Sequence, residues 1–268
     1  MIILLKNILA LISPYLRSRS AREFLLLAYR YGKKKRFQNQ AVRFFKYNFL
    51  VPDCASFLKQ FKEIYVEETY KFRATSPEPL ILDCGANIGL SVLYFKEKLP
   101  RAKVKAFEAD PEIAKILQFN IRNNGVQDVE VVRKALWIHN RGVDFGIQGA
   151  DGGSVFFTSN RAKVPSVSLR EELSAVQSID LLKMDIEGAE LQVLRDSKDC
   201  LHRVRNLFVE YHSIVGTRQR LDELLKILTE AGFRYYIQSV SNRKWPLFNK
   251  SADQRLDLQL NIFAYRDK

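Results

Sequence analysis

Cysteine is scarce in this sequence, and no two cysteines lie close together. Cys54, Cys84 and Cys200 are the three among 268 residues, and there is no CxxC pair or Cys/His cluster. Spacing of this kind excludes a disulfide framework and a cysteine-based zinc site. It favours a reducing, cytoplasmic setting over a secreted one.

Long hydrophobic runs are also missing. The apolar N-terminal stretch MIILLKNILALI is interrupted by Lys6 and is shorter than the roughly 20 residues that a membrane-spanning helix needs. Its positive charges follow the apolar residues instead of preceding them, so we expect no signal peptide. With 47% hydrophobic and 27% charged residues, the chain has the composition of a well-packed globular protein.

Acidic residues are scarce in the first fifty positions. Residues 1–50 hold 11 Lys and Arg residues against the single acid Glu23, so this segment carries +10 of the formal net charge of +13. We expect residues 1–76 to form a basic, mainly helical N-terminal extension and residues 77–268 to form the principal domain. The TSPEP segment at 75–79 separates the two, because its prolines disfavour helix.

The N-terminal segment also carries an apolar helical face. Ile2, Leu5 and Leu9 repeat at helical spacing ahead of the basic run at 33–36. A helix of this kind can lie on an anionic membrane, so residues 1–36 are a candidate for peripheral contact with the inner membrane surface. The alternative is a helix that docks on the main domain beside a solvated run of charge.

From residue 80 onward, β-like runs alternate with amphipathic helical patterns. The predicted strands are LILDCG, KVKAFEAD, VEVVRKAL, DLLKMDI, NLFVEYH, YYIQSV and LQLNIFAYR. This alternation predicts an α/β fold with a doubly wound, mostly parallel, seven-stranded, Rossmann-like sheet. The last strand closely follows another with no helix between, which predicts a β-hairpin. A glycine-rich insertion at 137–178 is expected near the carboxyl ends of the strands, where ligands bind.

Side-chain caps predict where three helices begin. Asp53 precedes one helical pattern, Asp110 with Pro111 precedes a second, and Thr217 precedes a third. Asp and Thr accept hydrogen bonds from the first free N–H groups of a helix, and proline suits its first turn.

The turn in ILDCGANIGL, residues 81–90, lacks the middle glycine of a dinucleotide-binding site. Gly85 and Gly89 bracket the turn, but Asn87 stands between them, where a glycine would let the backbone approach a pyrophosphate. The following helix still offers free N–H groups and a partial positive charge. The turn therefore suits a ligand with a carboxylate and no phosphate.

Glu108 ends the second predicted strand, 25 residues after Asp83. An acid at this place can accept hydrogen bonds from both ribose hydroxyls and would repel a 2′-phosphate, which disfavours NADP. Ribose and carboxylate without phosphate indicate S-adenosylmethionine (SAM), with Asp83 near its ammonium group. The alternatives are a turn-capping acid for Asp83 and a surface acid for Glu108.

Further acids follow the fourth and fifth strands. Asp185, Glu187 and Glu190 follow the fourth strand, and Glu210 and His212 end the fifth. Crowded acids raise one another's pKa, so one of them could act as a base for a hydroxyl nucleophile. His212 is the alternative base, and a divalent cation held by oxygen ligands is a further alternative. Glu187 and Glu190 could instead be partners of a helix dipole.

Several ordered motifs resemble one known family. ILDCGANIGLS, AFEADPE, LLKMDIEGAELQVL and VEYH look like the FkbM family of SAM-dependent methyltransferases, over about residues 62–265. The resemblance implies a class I methyltransferase fold and methyl transfer to a hydroxyl, often on a sugar of a glycan or glycolipid. The chain departs from the family at Arg170, where many members have an acid after the leucine.

The resemblance also implies two sets of site residues. The cofactor-binding set is Asp83, Gly85, Asn87, Gly89, Ser91, Glu108, Ala109, Ala135 and Leu136. The catalytic, acceptor-facing set is Asp185, Glu187, Glu210 and His212. No metal ligand is assigned.

Three hypotheses for the function remain at this point. The first is a SAM-dependent O-methyltransferase with a saccharide or glycolipid acceptor. The second is an RNA-modifying methyltransferase that uses the basic arm, although the fourth strand lacks the NPPY-type motif of base-methylating enzymes, so nucleic acid is the less favoured partner. The third is a non-catalytic protein that binds SAM or a glycolipid at the membrane surface.

Overall fold

A computed structural model of the protein describes residues 18–146, 161–240, 243–249 and 256–266. The predicted apolar face of residues 2–12 and the glycine-rich part of the insertion at 147–160 lie outside the described residues. No helix in the described ranges has the length and hydropathy that a bilayer crossing demands.

The described chain begins with a small unit of helices and a β-hairpin, the N-terminal unit. Its elements are α1 (Arg19–Tyr31), β1 (Gln40–Phe44), β2 (Tyr47–Val51) and α2 (Cys54–Phe61), followed by one π-helical turn (Lys62–Val66). The hairpin of β1 and β2 differs from the mainly helical pattern predicted for residues 1–76. Its residues alternate between buried and exposed, which is the two-residue period of a half-buried strand.

The remaining elements alternate along the chain. The strands are β3 (Leu80–Cys84), β4 (Lys103–Phe107), β5 (Val129–Val132), β6 (Ala135–Trp137), β7 (Val143–Gly146), β8 (Arg161–Val164), β9 (Ser166–Ser168), β10 (Ile179–Met184), β11 (Val204–Ile214), β12 (Arg234–Ser239) and β13 (Leu256–Tyr265). The helices are α3 (Leu90–Lys98), α4 (Pro111–Asn123), α5 (Leu169–Ser174), α6 (Glu190–Asp196) and α7 (Leu221–Glu230), with a 3₁₀ turn at Lys198–Arg203.

Seven of these strands form the central sheet, in the order β12-β13-β11-β10-β3-β4-β5. The strands from β11 to β5 are parallel to their neighbours, whereas β13 is antiparallel to both β11 and β12. The prediction of a mostly parallel, seven-stranded, Rossmann-like sheet is confirmed, as is the final hairpin. The third predicted strand divides, because β6 leaves the central sheet and pairs with β9.

Each face of the sheet carries its own hydrophobic core. Ile81 packs with helices α3 and α4 and the N-terminal unit, whereas its neighbour Leu82 packs with α5, α6 and α7. Successive side chains of a strand point to opposite faces, so a strand buried on both sides reads as a continuous apolar run. This burial explains the sequence LILDC in β3.

The N-terminal unit packs directly on the main domain. Phe44 lies at the centre of an aromatic cluster, with ring centroids 5.3 Å from Phe49, 5.6 Å from Phe57 and 5.5 Å from Phe61. The cluster continues to Tyr94 of α3 within the same core. Hydrophobic packing therefore crosses the predicted boundary between residues 76 and 77.

Asn120 of α4 fastens the hairpin to the turn after β3. Its Oδ1 accepts a hydrogen bond from the Leu50 amide at 2.7 Å. Its Nδ2 donates to the carbonyl oxygens of Leu50 and Ile88, both at 3.0 Å. The side chain is fully buried, so these bonds satisfy backbone groups that burial would otherwise leave unpaired.

Two of the three predicted helix caps are confirmed. The Asp53 side chain accepts from the Ser56 amide, and Asp110 accepts from the first turn of α4 ahead of Pro111. The prediction for Thr217 is wrong, because α7 begins at Leu221 and the Thr217 hydroxyl donates instead to the Ile214 carbonyl at 2.7 Å.

Candidate active site

A cleft of about 1260 Å³, including its solvent-open mouth, lies at the carboxyl ends of β3, β4 and β10. Ten residues from the two predicted sets line it, namely Gly85, Asn87, Ser91, Glu108, Ala109, Ala135, Leu136, Asp185, Glu187 and Glu210. The other three predicted residues, Asp83, Gly89 and His212, lie behind its walls. The cleft is where an open α/β sheet binds ligands.

The two glycines of the opening turn lie where a side chain would collide with a neighbouring residue. Gly85 has a φ of +82°, and a Cβ there would lie 1.8 Å from the carbonyl oxygen of Asp185. Gly89 has a φ of +94°, and its Cβ would lie 2.7 Å from a methyl carbon of Leu117. Gly85 therefore lets the turn cross the end of β10, and Gly89 lets α3 pack on α4.

Glu108 lies beside this turn in a fixed orientation. Its carboxylate accepts hydrogen bonds from the amides of Asn87, at 2.8 Å, and Asp110, at 2.9 Å. Burial raises the pKa of Glu108 to about 7, against the opposing effect of these two backbone donors. Because a carboxylate offers about four acceptor positions, Glu108 can also accept from a bound hydroxyl pair.

An apolar pocket adjoins Glu108. Phe107, Ile113 and Phe145 line the cleft together with Ala135 and Leu136. An apolar pocket beside a fixed acceptor suits a flat aromatic base joined to a polyhydroxyl ring.

The structure places Asp83 beneath the cleft. The side chain is fully buried, with one oxygen 2.5 Å from the hydroxyl of Ser91 and the other 3.2 Å from the ammonium of Lys183. A ligand in the cleft therefore meets Lys183 and Ser91 before it meets Asp83. The burial follows from the position of Asp83 within β3, which is covered on both faces.

Lys183 is a site residue that the sequence patterns did not predict. Its ammonium donates to the carbonyl oxygen of Gly85 at 2.7 Å, lies 3.9 Å from Asp185 and lies over the ring of Tyr70. Burial alone would lower the pKa of Lys183, but the charges of Asp83 and Asp185 raise it above its ordinary value. A lysine inside the apolar run LLKM was a usable signal, because an unpaired buried charge is costly.

Two carboxyls with opposite pKa shifts lie at the far end of the cleft. Burial, followed by the negative charge of Glu210, raises the pKa of Asp185 well above its ordinary value. Burial also acts to raise the pKa of Glu210, but hydrogen bonds from His212 and Gln259 lower it overall. Environments that separate the pKa values of neighbouring acids are typical of acid–base sites.

His212 lies behind Glu210 rather than in the cleft wall. Its Nδ1 lies 3.1 Å from Glu190, and its Nε2 lies 3.5 Å from Glu210 and 3.7 Å from Glu187. Burial would lower the pKa of His212, but Glu190 raises it well above the ordinary value. An imidazole that holds its proton is a poor base, so the arrangement favours Asp185 over His212 for that role.

The same region could hold a cation. Ligand atoms of Asp185, Glu187 and His212 all lie within 4.8 Å of one another, so the metal alternative stays a prediction. Glu190 has a structural role at the start of α6, where it accepts from the amides of Ile186 at 3.2 Å and Gly188 at 3.0 Å. The prediction of Glu190 as a helix-start acid agrees with this geometry.

Comparison with known proteins decides the family. Residues 83–235 match the family described as the methyltransferase FkbM domain, and this range spans more than half of the chain. The chain belongs to the FkbM methyltransferase family. The match contains the opening turn, Glu108, the acids after β10 and Glu210 of β11, so most of the residues that line the cleft lie within the shared domain.

Several known methyltransferases are similar to parts of this chain. Methyltransferase sdnD of Sordaria araneosa is 30% identical over an alignment of 205 residues, with 62% of this chain and 79% of sdnD covered. The 2-O-methyltransferase NoeI of Sinorhizobium fredii is 29% identical over an alignment of 157 residues, with 50% of this chain and 64% of NoeI covered. A solved methyltransferase FkbM of Methylobacillus flagellatus KT shares 17% identity, with 91% of this chain and 59% of that chain covered and a TM-score of 0.47.

Proposed function

We propose that this FkbM-family methyltransferase uses SAM and methylates a hydroxyl, on a sugar of a glycan or glycolipid. The observation that carries the proposal is the arrangement around Gly85. Glu108 lies on one side of the turn, held by two backbone amides, and Asp185 lies on the other, with its carbonyl oxygen against Gly85. A single extended ligand can therefore contact both.

The cofactor end of the cleft fits SAM. Glu108 would accept from the ribose hydroxyls, and the apolar pocket at Ala135 and Leu136 would take the adenine. The ammonium of Lys183 would attract the carboxylate of the methionine part. Asn87, with a φ of +48°, puts a side chain where a pyrophosphate would need space, which supports a cofactor without phosphate.

The acid end of the cleft fits a hydroxyl acceptor. Bound SAM supplies a methyl group on a positively charged sulfur. Asp185, with its raised pKa, would accept the proton of the acceptor hydroxyl as the oxygen takes the methyl group. The cleft walls would hold the two reactants in line, which supplies much of the rate in such a transfer.

The proposal specifies oxygen as the atom that receives the methyl group. NoeI, one of the relatives, is named a 2-O-methyltransferase, and this name supports oxygen as the methylated atom. The acidic acceptor end further favours a donor-rich, hydroxylated molecule. The sugar itself comes from the resemblance to the FkbM family.

The test has a binding arm and a turnover arm. Calorimetry with SAM should give binding to the wild-type protein and loss of binding in Glu108→Ala. Incubation with isotope-labelled SAM and a panel of glycan and RNA acceptors, read by mass spectrometry, should label a glycan hydroxyl. Asp185→Asn should bind SAM normally and lose turnover by about a hundredfold or more. Wild-type turnover in that variant, or label found only in RNA, would contradict the proposal.

A further inference from the structure

The N-terminal unit forms one wall of the cleft. Residues Lys59, Gln60, Glu63 and Ile64, from α2 and the π-helical turn after it, line the cleft together with Tyr70. A π-helical turn is rare and is frequently found at functional sites. The unit is therefore part of the site.

Glu63 is the acid that this wall contributes. It lies on the π-helical turn Lys62–Val66 and lines the same cleft as Glu210, whose direct partner across β11 and β13 is Asn261. Asn261 is 94% buried, and its Oδ1 has no hydrogen-bond partner within the described part of the chain. Burial, followed by the negative charge of Glu210, raises the pKa of Glu63 to about 7.

The charges around Glu63 do not balance locally. Asp83 is offset by Lys183, and Glu190 is offset by His212. Glu63, Asp185, Glu187 and Glu210 add four more carboxyls at the acceptor end, where His212 also lies near Glu187 and Glu210 and Lys183 lies near Asp185. Lys59 is a further cation on the same wall, so acids outnumber cations at this end. A site of this charge attracts hydrogen-bond donors and cations and repels anions.

We propose that Glu63 and Glu210 together form an acceptor subsite that binds a hydrogen-bond donor next to the reacting hydroxyl, and that this subsite rejects acceptors with a nearby carboxylate or phosphate. The donor is a second hydroxyl or an ammonium group of a sugar. The subsite rests on the proposed function, because it presumes that the acceptor enters the cleft from this end. It also gives the N-terminal unit a role in specificity.

The test uses the full chain loaded with S-adenosylhomocysteine, the demethylated cofactor. Three soluble probes are titrated by NMR: methyl glucoside is neutral, glucosamine is cationic and glucuronate is anionic. We expect glucuronate to bind about tenfold or more weakly than glucosamine in the wild-type protein. Glucuronate binding as tight as that of glucosamine would overturn the proposal.

Glu63→Gln is the decisive variant. It should weaken glucosamine binding about tenfold or more, because a charge-assisted hydrogen bond is replaced by a neutral one, while the affinity for S-adenosylhomocysteine stays the same. Glu67→Gln is the matched control, since Glu67 is exposed and pairs with Lys62 on the outer side. It should preserve the wild-type preference. An unchanged preference in Glu63→Gln would refute the subsite.

Two further readouts separate the possible failures. Thermal melting at pH 8 should show Glu63→Gln to be at least as stable as the wild type. An acid whose pKa is raised on folding lowers the stability of the folded protein as pH rises above the pKa of that acid in the unfolded chain. Glutamine removes this effect because it does not ionise. A folded variant thus makes the binding result interpretable. If the wild-type protein does not bind S-adenosylhomocysteine at all, the proposed function fails and the subsite fails with it.

Discussion

The ammonium nitrogen of Lys183 lies 3.2 Å from a carboxylate oxygen of Asp83, and both side chains are almost completely buried. The same ammonium donates to the carbonyl oxygen of Gly85. One buried cation thus joins β10, β3 and the turn that opens the cleft. Its contacts connect the stability of the sheet to the shape of the site.

Lys183→Met should destabilise the fold by about 3–5 kcal/mol, because it leaves the carboxylate of Asp83 buried without an opposite charge beside it. Urea unfolding measures the loss. The double variant Lys183→Met with Asp83→Asn should recover much of it, since both charges are then removed. Lys103→Ala is the control: its pair with Glu78 is exposed and should contribute under about 1 kcal/mol. Equal losses in the two lysine variants would contradict the assignment.

Gly85→Ala should abolish SAM binding and lower stability. The added Cβ would lie 1.8 Å from the Asp185 carbonyl oxygen, at a φ of +82°, so the turn and the end of β10 must move apart. Gly125→Ala is the matched control, because Gly125 also has a positive φ but no atom within 4 Å of the added Cβ. It should cost about 1 kcal/mol from backbone strain alone and keep SAM binding. Calorimetry with both variants tests the difference.

Turnover should rise with pH through the raised pKa of Asp185. Below that pKa the carboxyl holds a proton and cannot accept another, so kcat falls as pH falls. Glu210→Gln removes the neighbouring negative charge that helps to raise this pKa and should shift the acidic limb to lower pH. The measurement is kcat at saturating SAM from about pH 5 to 9. A flat profile in the wild type would remove Asp185 from the chemistry.

Removal of residues 1–17 should weaken binding to anionic vesicles and leave SAM binding unchanged. The apolar face of Ile2, Leu5 and Leu9 is then lost while the basic run at 33–36 remains, and one weak signal rarely anchors a protein. Cosedimentation with phosphatidylglycerol vesicles measures the change, with neutral phosphatidylcholine vesicles as the control. Equal cosedimentation of the full-length and truncated chains would exclude this contact.

Much of the central sheet could be predicted from local sequence. Strands such as β3 and β10 are buried on both faces, so they read as short apolar runs between helical patterns. The hairpin of β1 and β2 was missed. Its sequence NQAVRFFKYNFLV mixes bulky residues with charges, and its stability comes from packing against α4 and the aromatic cluster, which no local pattern reveals.

Site residues could be predicted where their role depends on neighbours in the sequence. Glu108 follows its strand directly, and the glycines of the turn have backbone angles that favour glycine. Lys183 and Glu63 were not predicted because their significance depends on residues far along the chain, namely Asp83 for Lys183 and Glu210 for Glu63. Residues so far apart in the sequence become neighbours only when the fold brings their elements together.

The hydrogen bonds of Asn120 to Leu50 and Ile88 bear on protein engineering. A chimera that exchanges the N-terminal wall of the cleft between family members must carry the hairpin, α2 and α4 as one cassette. A crossover between the hairpin and α4 would combine Asn120 from one parent with the Leu50 position from the other. A junction at 33–35, ahead of Arg36 and its ion pair with Asp53, keeps the cassette whole.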